Sequence, residues 1–144
     1  RELAALADWL KASDEDLELL GFKDVSFANG STLAAHWMQQ GCSRVALTFG
    51  GQGAYLQVGS DRDQAAAPVI NVVDTVGAGD TFWGSCLADW VLHDTMRDLT
   101  RAQERLVNTL ERALVAAAIN CTREGCQPPD SIELAAQLPA SLHF

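Results

Sequence analysis

A run of β-branched residues at 69–75 leads directly into Gly77, Ala78 and Gly79, and a helical pattern runs from Gly79 to about Leu92. Glycine adopts backbone angles that other residues avoid, and it lets a ligand approach the main chain. A strand followed by a turn and a helix is the repeating unit of layered α/β folds. Ligands bind such folds at the carboxyl ends of the strands. The stretch therefore predicts an α/β fold and a ligand site at its glycine turn.

The other segments alternate in the same way, which predicts an α/β layered fold with a mostly parallel sheet. Three more apolar runs predict strands, the last two as a hairpin: residues 7–12, 43–51 and 53–59. Capping residues and terminal glycines or prolines predict four more helices: 13–20, 31–41, 100–125 and 131–138. The polar segment 61–68 is expected to be a connector.

Composition narrows the classes of partner. The net charge of −9 and pI near 4.5 argue against a nucleic-acid-binding surface, which needs a basic footprint. No apolar run approaches the ~20 residues of a membrane span, and no signal peptide is visible, so we expect a cytoplasmic protein. The four cysteines show neither a C-x-x-C pair nor zinc-like spacing, and we expect them to be free thiols. Because residue 1 is Arg, we expect the chain to be a fragment.

The glycine turn itself suggests a chemistry. Amide groups at the start of a helix, backed by the helix dipole, form an anion or phosphate site. Asp80 follows them directly, and a carboxylate beside a bound phosphate repels it. The arrangement makes sense if Asp80 takes a proton from a hydroxyl that attacks the phosphate. The alternative is a tight strand-to-helix turn in which Asp80 only begins the helix. A second glycine cluster, 50–53, lacks the Gly-Lys-Ser/Thr ending of a phosphate loop and is less specific.

The segment Asp-Thr-Val-Gly-Ala-Gly-Asp at 74–80 resembles the signature of the ribokinase-like carbohydrate kinases, the PfkB family. Within that family, the sequence is most similar to the C-terminal half of bacterial fructokinases. Three further stretches resemble family motifs in the family's order: 10–20, 46–56 and 116–129. The resemblance covers nearly the whole chain. It implies a ribokinase-like α/β/α fold, with residues 1–144 forming the C-terminal nucleotide-binding and catalytic half.

The resemblance also implies roles for individual residues. Asp80 matches the catalytic base, and Gly77, Ala78 and Gly79 match the anion hole that stabilises the transferred phosphoryl group. The nucleotide-binding residues implied by the match are Thr48, Gly50 and Gly53, with Ser13 and Asp16 near the phosphates and magnesium. Five positions match a monovalent cation site used by potassium-activated members, mostly through backbone carbonyls: Asp74, Val76, Asn120, Arg123 and Gly125. ATP, Mg²⁺ and potassium are therefore the expected cofactors.

By the same resemblance, the expected reaction is phosphorylation of a sugar, with fructose converted to fructose 6-phosphate. Nothing in the chain resembles the sugar-contacting acid, the early Gly-Gly motif or the β-sheet lid of the family's N-terminal half. We therefore expect the chain alone to be inactive and leave open a homodimer of the full-length protein. The alternatives are a related kinase for ribose, 2-keto-3-deoxygluconate, a nucleoside or hydroxymethylpyrimidine, or a truncated nucleotide-binding remnant without catalysis. A dinucleotide oxidoreductase is disfavoured, because no acidic residue follows a Gly-x-Gly-x-x-Gly helix to bind ribose.

Overall fold

The computed structural model describes residues 6–139. The elements, in chain order, are β1 (Trp9–Ser13), α1 (Asp14–Leu19), α2 (Gly30–Met38), β2 (Arg44–Thr48), β3 (Ala54–Val58), β4 (Asp61–Ala65), α3 (Ala78–Leu92), α4 (Leu99–Glu104), α5 (Leu106–Cys121) and α6 (Ser131–Gln137). Short 3₁₀ turns occur at Phe27–Asn29 and Gly50–Gln52.

The sheet is mixed, with the strand order β1-β2-β3-β4. β1 and β2 are parallel, whereas β2–β3 and β3–β4 are antiparallel. The prediction of a mostly parallel sheet is therefore wrong for the described residues. The reason is local: β2, β3 and β4 are joined by short turns, which can connect only antiparallel neighbours. The parallel β1–β2 pair instead uses α1 and α2 as its crossover.

Helices cover both faces of the sheet, which confirms the layered α/β/α arrangement. Side chains of a strand alternate between its two faces. Val45 and Leu47 of β2 pack with α1 and α2, whereas Ala46 packs in the cluster formed with α3, α4 and α5. On the second side, α3 and α5 are paired helices, and Phe82 and Trp90 of α3 lie buried against the sheet. This packing fixes where α3 begins, and α3 carries the predicted base.

A buried arginine ties the far end of α3 to the strands. The Arg44 guanidinium lies between the indole rings of Trp9 and Trp90, 4.5 and 4.4 Å from the ring centroids. Arg44 also donates hydrogen bonds to the carbonyls of Thr95 and Met96, just beyond α3. Cation–π contacts of this kind stabilise a desolvated guanidinium. These contacts attach the C-terminal end of α3 to β1 and β2.

Three predicted elements differ from the structure. The apolar run 69–75 forms no strand, and Val69, Val72 and Val73 are exposed. The polar segment 61–65, expected as a connector, is the edge strand β4. The long helix predicted over 100–125 is two helices that meet at Arg105. The remaining predicted strands and helices are present, with ends shifted by a few residues. Within residues 6–139, no helix combines the length and apolar character that a membrane crossing requires.

Candidate active site

The glycine turn at the start of α3 leaves main-chain amides without an acceptor among the described residues. Gly77 is the N-cap and has φ +76°, a left-handed conformation that glycine adopts without strain. Thr81 N–H donates to the Gly77 carbonyl at 2.8 Å, and Ala78 N–H donates to Thr75 at 3.1 Å. The main-chain amides of Gly77, Gly79 and Asp80 donate to no acceptor within residues 6–139. The open donors therefore differ from the predicted set: the Ala78 amide is engaged, and the Asp80 amide joins those of the two glycines.

Asp80 lies in the first turn of α3 and is exposed. Its carboxylate has no hydrogen bond or ion pair with any described residue. It lines a cavity of about 390 Å³ formed by α3, the 126–131 loop and α6. An unpaired carboxylate at the mouth of a cavity is free to accept a proton from a hydroxyl placed there. The turn is not buried, and Asp80 faces open space.

Two side chains from distant parts of the chain reach this turn. A Cβ built on Gly79 would lie 2.7 Å from Nζ of Lys11, and one built on Gly77 would lie 2.2 Å from Sγ of Cys126. Gly77 is therefore required for both space and conformation, whereas a side chain at Gly79 would displace only the end of the Lys11 side chain. Sequence reasoning missed both contacts. Lys11 was findable, because it lies two residues before Ser13 on the same face of β1.

The predicted nucleotide turn lies at the ends of β2 and β3. Thr48 is the last residue of β2 and pairs in register with Ser13 of β1 and Ala54 of β3. Gly50 and Gly53 have φ of +53° and +132°, and Gly53 packs so closely on β4 that a Cβ would lie 2.1 Å from the Ala65 carbonyl oxygen. The glycines therefore shape the turn in the absence of any ligand. Thr48 and Ser13 are therefore neighbours at the carboxyl ends of the parallel strands β1 and β2.

Ser13 and Asp16 form the capping box of α1. The Asp16 amide donates to the Ser13 hydroxyl at 3.1 Å, and the Ser13 amide donates to Oδ2 of Asp16 at 2.9 Å. The Ser13 backbone and side-chain hydrogen bonds lower the pKa of Asp16, with a smaller contribution from the positive charge of Lys11. Asp16 is therefore held ionised, and its Oδ1 accepts no hydrogen bond within the described residues.

The predicted cation residues lie on the loop before α3 and on the last turn of α5 with the loop after it, and side chains hold the two parts together. Asp74 accepts the amides of Val76 at 3.0 Å and Gly125 at 2.9 Å. Asn120, in the last turn of α5, donates to the Val76 carbonyl at 2.8 Å. The loop before α3 is therefore bonded both to the end of α5 and, through Gly125, to the loop after it. The structure thus brings these four residues together. The side chain of the fifth, Arg123, turns to Glu133 in α6, with 2.9 Å between Nη2 and Oε1.

The predicted site residues form separate neighbouring groups and do not line a single continuous pocket. The cavity beside Asp80, as the described residues define it, is lined by none of Thr48, Gly50 and Gly53. Lys11 links the groups, because its ammonium is next to Gly79 and its charge acts on Asp16. Within the described ranges, no cluster of three or more His, Cys, Asp or Glu side chains is arranged to hold a metal ion. The four cysteines are free thiols, as predicted.

The sequence matches the pfkB family of carbohydrate kinases over residues 1–133. The chain belongs to this family. Among pfkB proteins, it is 39% identical to a fructokinase from Rhizobium leguminosarum bv. trifolii over 88 residues, which cover 61% of this chain and 26% of that protein. The family assignment confirms the resemblance read from the four motifs.

Solved pfkB-like kinases confirm the ribokinase-like fold. A double mutant of fructokinase from Vibrio cholerae O395, bound to fructose, ADP and potassium, superposes with a TM-score of 0.75 and 25% identity, covering 96% of this chain and 43% of that one. Arabidopsis thaliana ribokinase, complexed with ribose and ATP, superposes with a TM-score of 0.73 and 26% identity. The match covers 99% of this chain and 43% of that one. The chain thus spans less than half the length of the relatives it matches.

Proposed function

We propose that this chain is the nucleotide-binding and catalytic half of an ATP-dependent sugar kinase that converts fructose to fructose 6-phosphate. The observation that carries the proposal is the start of α3. Three amides without an acceptor, of Gly77, Gly79 and Asp80, lie in the turn whose unpaired Asp80 carboxylate lines a cavity. Membership of the pfkB family and similarity to a fructokinase support the reaction class and the leading substrate.

In the proposed reaction, Asp80 accepts the proton of the sugar hydroxyl as its oxygen attacks the γ-phosphorus of ATP. The bond from that phosphorus to the β,γ-bridging oxygen breaks, and ADP leaves. Negative charge builds on the oxygens of the transferred group, and preorganised amides stabilise such charge without having to reorient. Gly77 begins α3 in a left-handed conformation, which a residue with a side chain rarely adopts.

The cofactor assignments belong to the same proposal. Mg²⁺ prefers oxygen ligands and its own waters, and the ionised Asp16 has one oxygen, Oδ1, to offer the ion or its waters. Thr48, Gly50 and Gly53 would border the nucleotide. A potassium ion would be held by Asp74 and by the main-chain carbonyls of the paired loops. The Arg123 side chain would take no part, because it binds Glu133.

The proposal is tested by Asp80→Asn in the full-length protein. We expect turnover to fall by about 10²–10⁴-fold, the usual contribution of a general base, while the Michaelis constant for ATP stays nearly unchanged. Asp61→Asn is the matched control, because Asp61 is exposed at the end of β4 remote from the Gly50–Gly53 turn. Steady-state kinetics with fructose and Mg-ATP measure both variants. Equal turnover in wild type and Asp80→Asn would refute the base, whereas absence of turnover in the wild type would favour a non-catalytic remnant.

Two further measurements set the scope. A substrate panel of fructose, ribose, 2-keto-3-deoxygluconate and a nucleoside on the full-length protein identifies the acceptor, and a preference other than fructose would replace that part of the proposal. The same assay on the 144-residue chain should show no turnover, since the sugar-contacting half expected for this family is not in it. Normal turnover by the isolated chain would show that inference to be wrong.

A further inference from the structure

The cavity beside Asp80 has a buried hydroxyl group in its wall. Thr81, the next residue of α3, lines this cavity and is 8% exposed. Its Oγ1 is buried and forms no hydrogen bond within residues 6–139. A buried polar group without a partner is costly, and most such groups in folded proteins are hydrogen-bonded. The Thr81 hydroxyl is therefore an open position for a polar group of a ligand.

The charge of the cavity indicates the class of that ligand. Two carboxylates line it, Asp80 of α3 and Asp130 at the start of α6. Oδ1 of Asp130 accepts the amides of Ile132 and Glu133, whereas its Oδ2 accepts no hydrogen bond from a described residue. Among the described lining residues there is no Lys, Arg or His. Such a cavity repels a phosphate group and attracts a cation.

The rest of the wall is largely apolar or small. Gly84, Ala88 and Leu92 of α3 are spaced by four residues and share one face, so the cavity follows this helix from its first turn to its last. The apolar side chains of Ala116 in α5 and Leu134 in α6 also line it. Within residues 6–139, no three acidic, His or Cys side chains are grouped to hold a metal ion. The combination therefore suits an organic cation with an apolar chain.

We propose that this cavity binds an aliphatic diamine, which pairs with Asp80 and Asp130 and inhibits the enzyme. The ammonium groups donate hydrogen bonds to the two carboxylates and to Oγ1 of Thr81, while the methylene chain lies along Ala88 and Leu92. Only the inhibition rests on the proposed function. It follows because a carboxylate paired with a cation is a weaker acceptor for the proton of the sugar hydroxyl.

The test titrates the full-length protein with 1,4-diaminobutane, followed by nuclear magnetic resonance, with 1,4-butanediol as the uncharged analogue. We expect saturable binding of the diamine and no binding of the diol at the same concentrations. Asp130→Asn should weaken the diamine about threefold, as loss of a partly exposed ion pair does, and Asn still caps α6. Asp98→Asn is the matched control, because Asp98 caps α4 in the same way and does not line the cavity.

Two further variants change the wall of the cavity. Thr81→Val replaces the hydroxyl with a methyl group of similar size and should weaken the diamine by about two- to tenfold, as loss of one hydrogen bond does. Gly84→Leu fills the cavity from α3, where a Cβ meets nothing within 4 Å. We expect Gly84→Leu to abolish diamine binding without lowering the melting temperature.

Inhibition is measured as turnover of fructose and Mg-ATP at increasing diamine concentration. Wild-type turnover should fall, and the fall should be smaller at high salt, since charge–charge attraction is screened. Asp130→Asn should need about threefold more diamine for the same inhibition, with its uninhibited turnover unchanged.

The outcomes separate this inference from the proposed function. If wild type turns over but binds the diamine no better than the diol, the amine site is refuted and the kinase proposal stands. Equal affinity in wild type, Asp130→Asn and Thr81→Val would also refute it, because the diamine would then bind elsewhere on this acidic chain. Binding without loss of turnover would refute the inhibition. If the diamine binds as expected but Asp80→Asn keeps full turnover, the amine site stands and the catalytic proposal fails.

Discussion

The two ends of helix α3 each carry an aspartate, and their surroundings are opposite. Asp80, in the first turn, is exposed and has no hydrogen-bond or ion-pair partner within residues 6–139. Asp89, in the last turn, is fully buried. It binds Arg105 at 2.7 Å and accepts the Thr109 hydroxyl at 2.7 Å. One residue type in one helix therefore has two different uses.

The difference shows what each carboxylate contributes. A buried charge is tolerated only when it is paired and hydrogen-bonded, so Asp89 is committed to joining α3 to α5. Two more groups approach it, with Oδ1 lying 3.6 Å from Nε2 of His93 and 3.9 Å from Nε of Arg112. A general base needs the reverse, a carboxylate with unused lone pairs beside a cavity. Asp80 has unused lone pairs because no described residue forms a hydrogen bond or ion pair with its carboxylate.

The largest effect on stability is expected for Asp89→Ala. The change removes the carboxylate that Arg105 and Thr109 share, and breaking a buried pair in this way costs about 3 kcal/mol or more of unfolding free energy. Asp80→Ala should change the same quantity by less than about 0.5 kcal/mol, as exposed substitutions usually do. Urea unfolding followed by circular dichroism measures both. Similar losses in the two variants would contradict the division of roles between the ends of α3.

Asp89→Asn sharpens this comparison. The amide keeps the shape of the carboxylate and can still accept the Thr109 hydroxyl, but it has no charge for Arg105. We expect a loss of stability smaller than that of Asp89→Ala. If the two variants were equally unstable, the charge of Asp89, and not its hydrogen bond to Thr109, would be the feature that matters.

The next effect concerns the residue that sets where α3 begins. In Gly77→Ala, the left-handed φ of +76° costs about 1–2 kcal/mol for a residue with a side chain. The new Cβ would also lie 2.2 Å from Sγ of Cys126. The melting temperature should therefore fall for Gly77→Ala and not for Gly84→Ala. Adding Cys126→Ala should recover part of the loss; no recovery would mean that backbone strain alone accounts for it.

Much of the fold could be predicted from the sequence, and the failures have physical causes. The strands at 44–48 and 54–58 are buried, and apolar content identified them. β4 was missed because its side chains are largely exposed, so it lacks apolar residues. The Gly-Ser pair at 59–60 was the sequence signal for a hairpin of β3 and β4, and in the structure Gly59 has the φ of +58° that such a turn requires. The run 69–75 has strand-like composition, but a strand also needs a neighbour to pair with.

The break at Arg105 was not predictable from periodicity. The apolar stripe continues across it, and no proline or glycine marks it. Arg105 has φ −94° and ψ 0°, outside regular helical geometry, and its guanidinium binds Asp89 of α3. A contact between distant residues therefore accompanies the end of α4 and the start of α5. Such a contact is invisible to any local pattern.

The candidate site divides in the same way. Gly77, Gly79 and Asp80 are consecutive enough to form a recognisable motif, and sequence reasoning placed them correctly at a helix start. Lys11 and Cys126 reach the same turn from β1 and from the loop after α5. Their roles depend on how the layers pack, so only the structure could show them. The role of Asp80 as base stays a prediction until turnover is measured.

A third aspartate, just before α3, gives the smallest expected effect and completes the comparison. Hydrogen bonds from two main-chain amides lower the pKa of Asp74 below its ordinary value of 3.8; the amide of Val76 has the larger effect and that of Gly125 the smaller. A carboxyl whose pKa is lower in the folded than in the unfolded protein adds stability above the unfolded value, and that stability is lost as pH falls through the folded one. Asp74→Asn should therefore be less stable than wild type near neutral pH, and the difference should shrink between about pH 5 and 2. Melting temperatures of wild type and Asp74→Asn across that pH range measure the difference in stability. The Asp16→Asn variant is measured in the same way, because Asp16 also has a lowered pKa and its contribution must be distinguished from that of Asp74. If the wild-type and Asp74→Asn profiles ran parallel to the lowest pH, the hydrogen bonds to Asp74 would not be what links the two loops, and Asp74 would belong with Asp80 as a carboxylate that the fold leaves free.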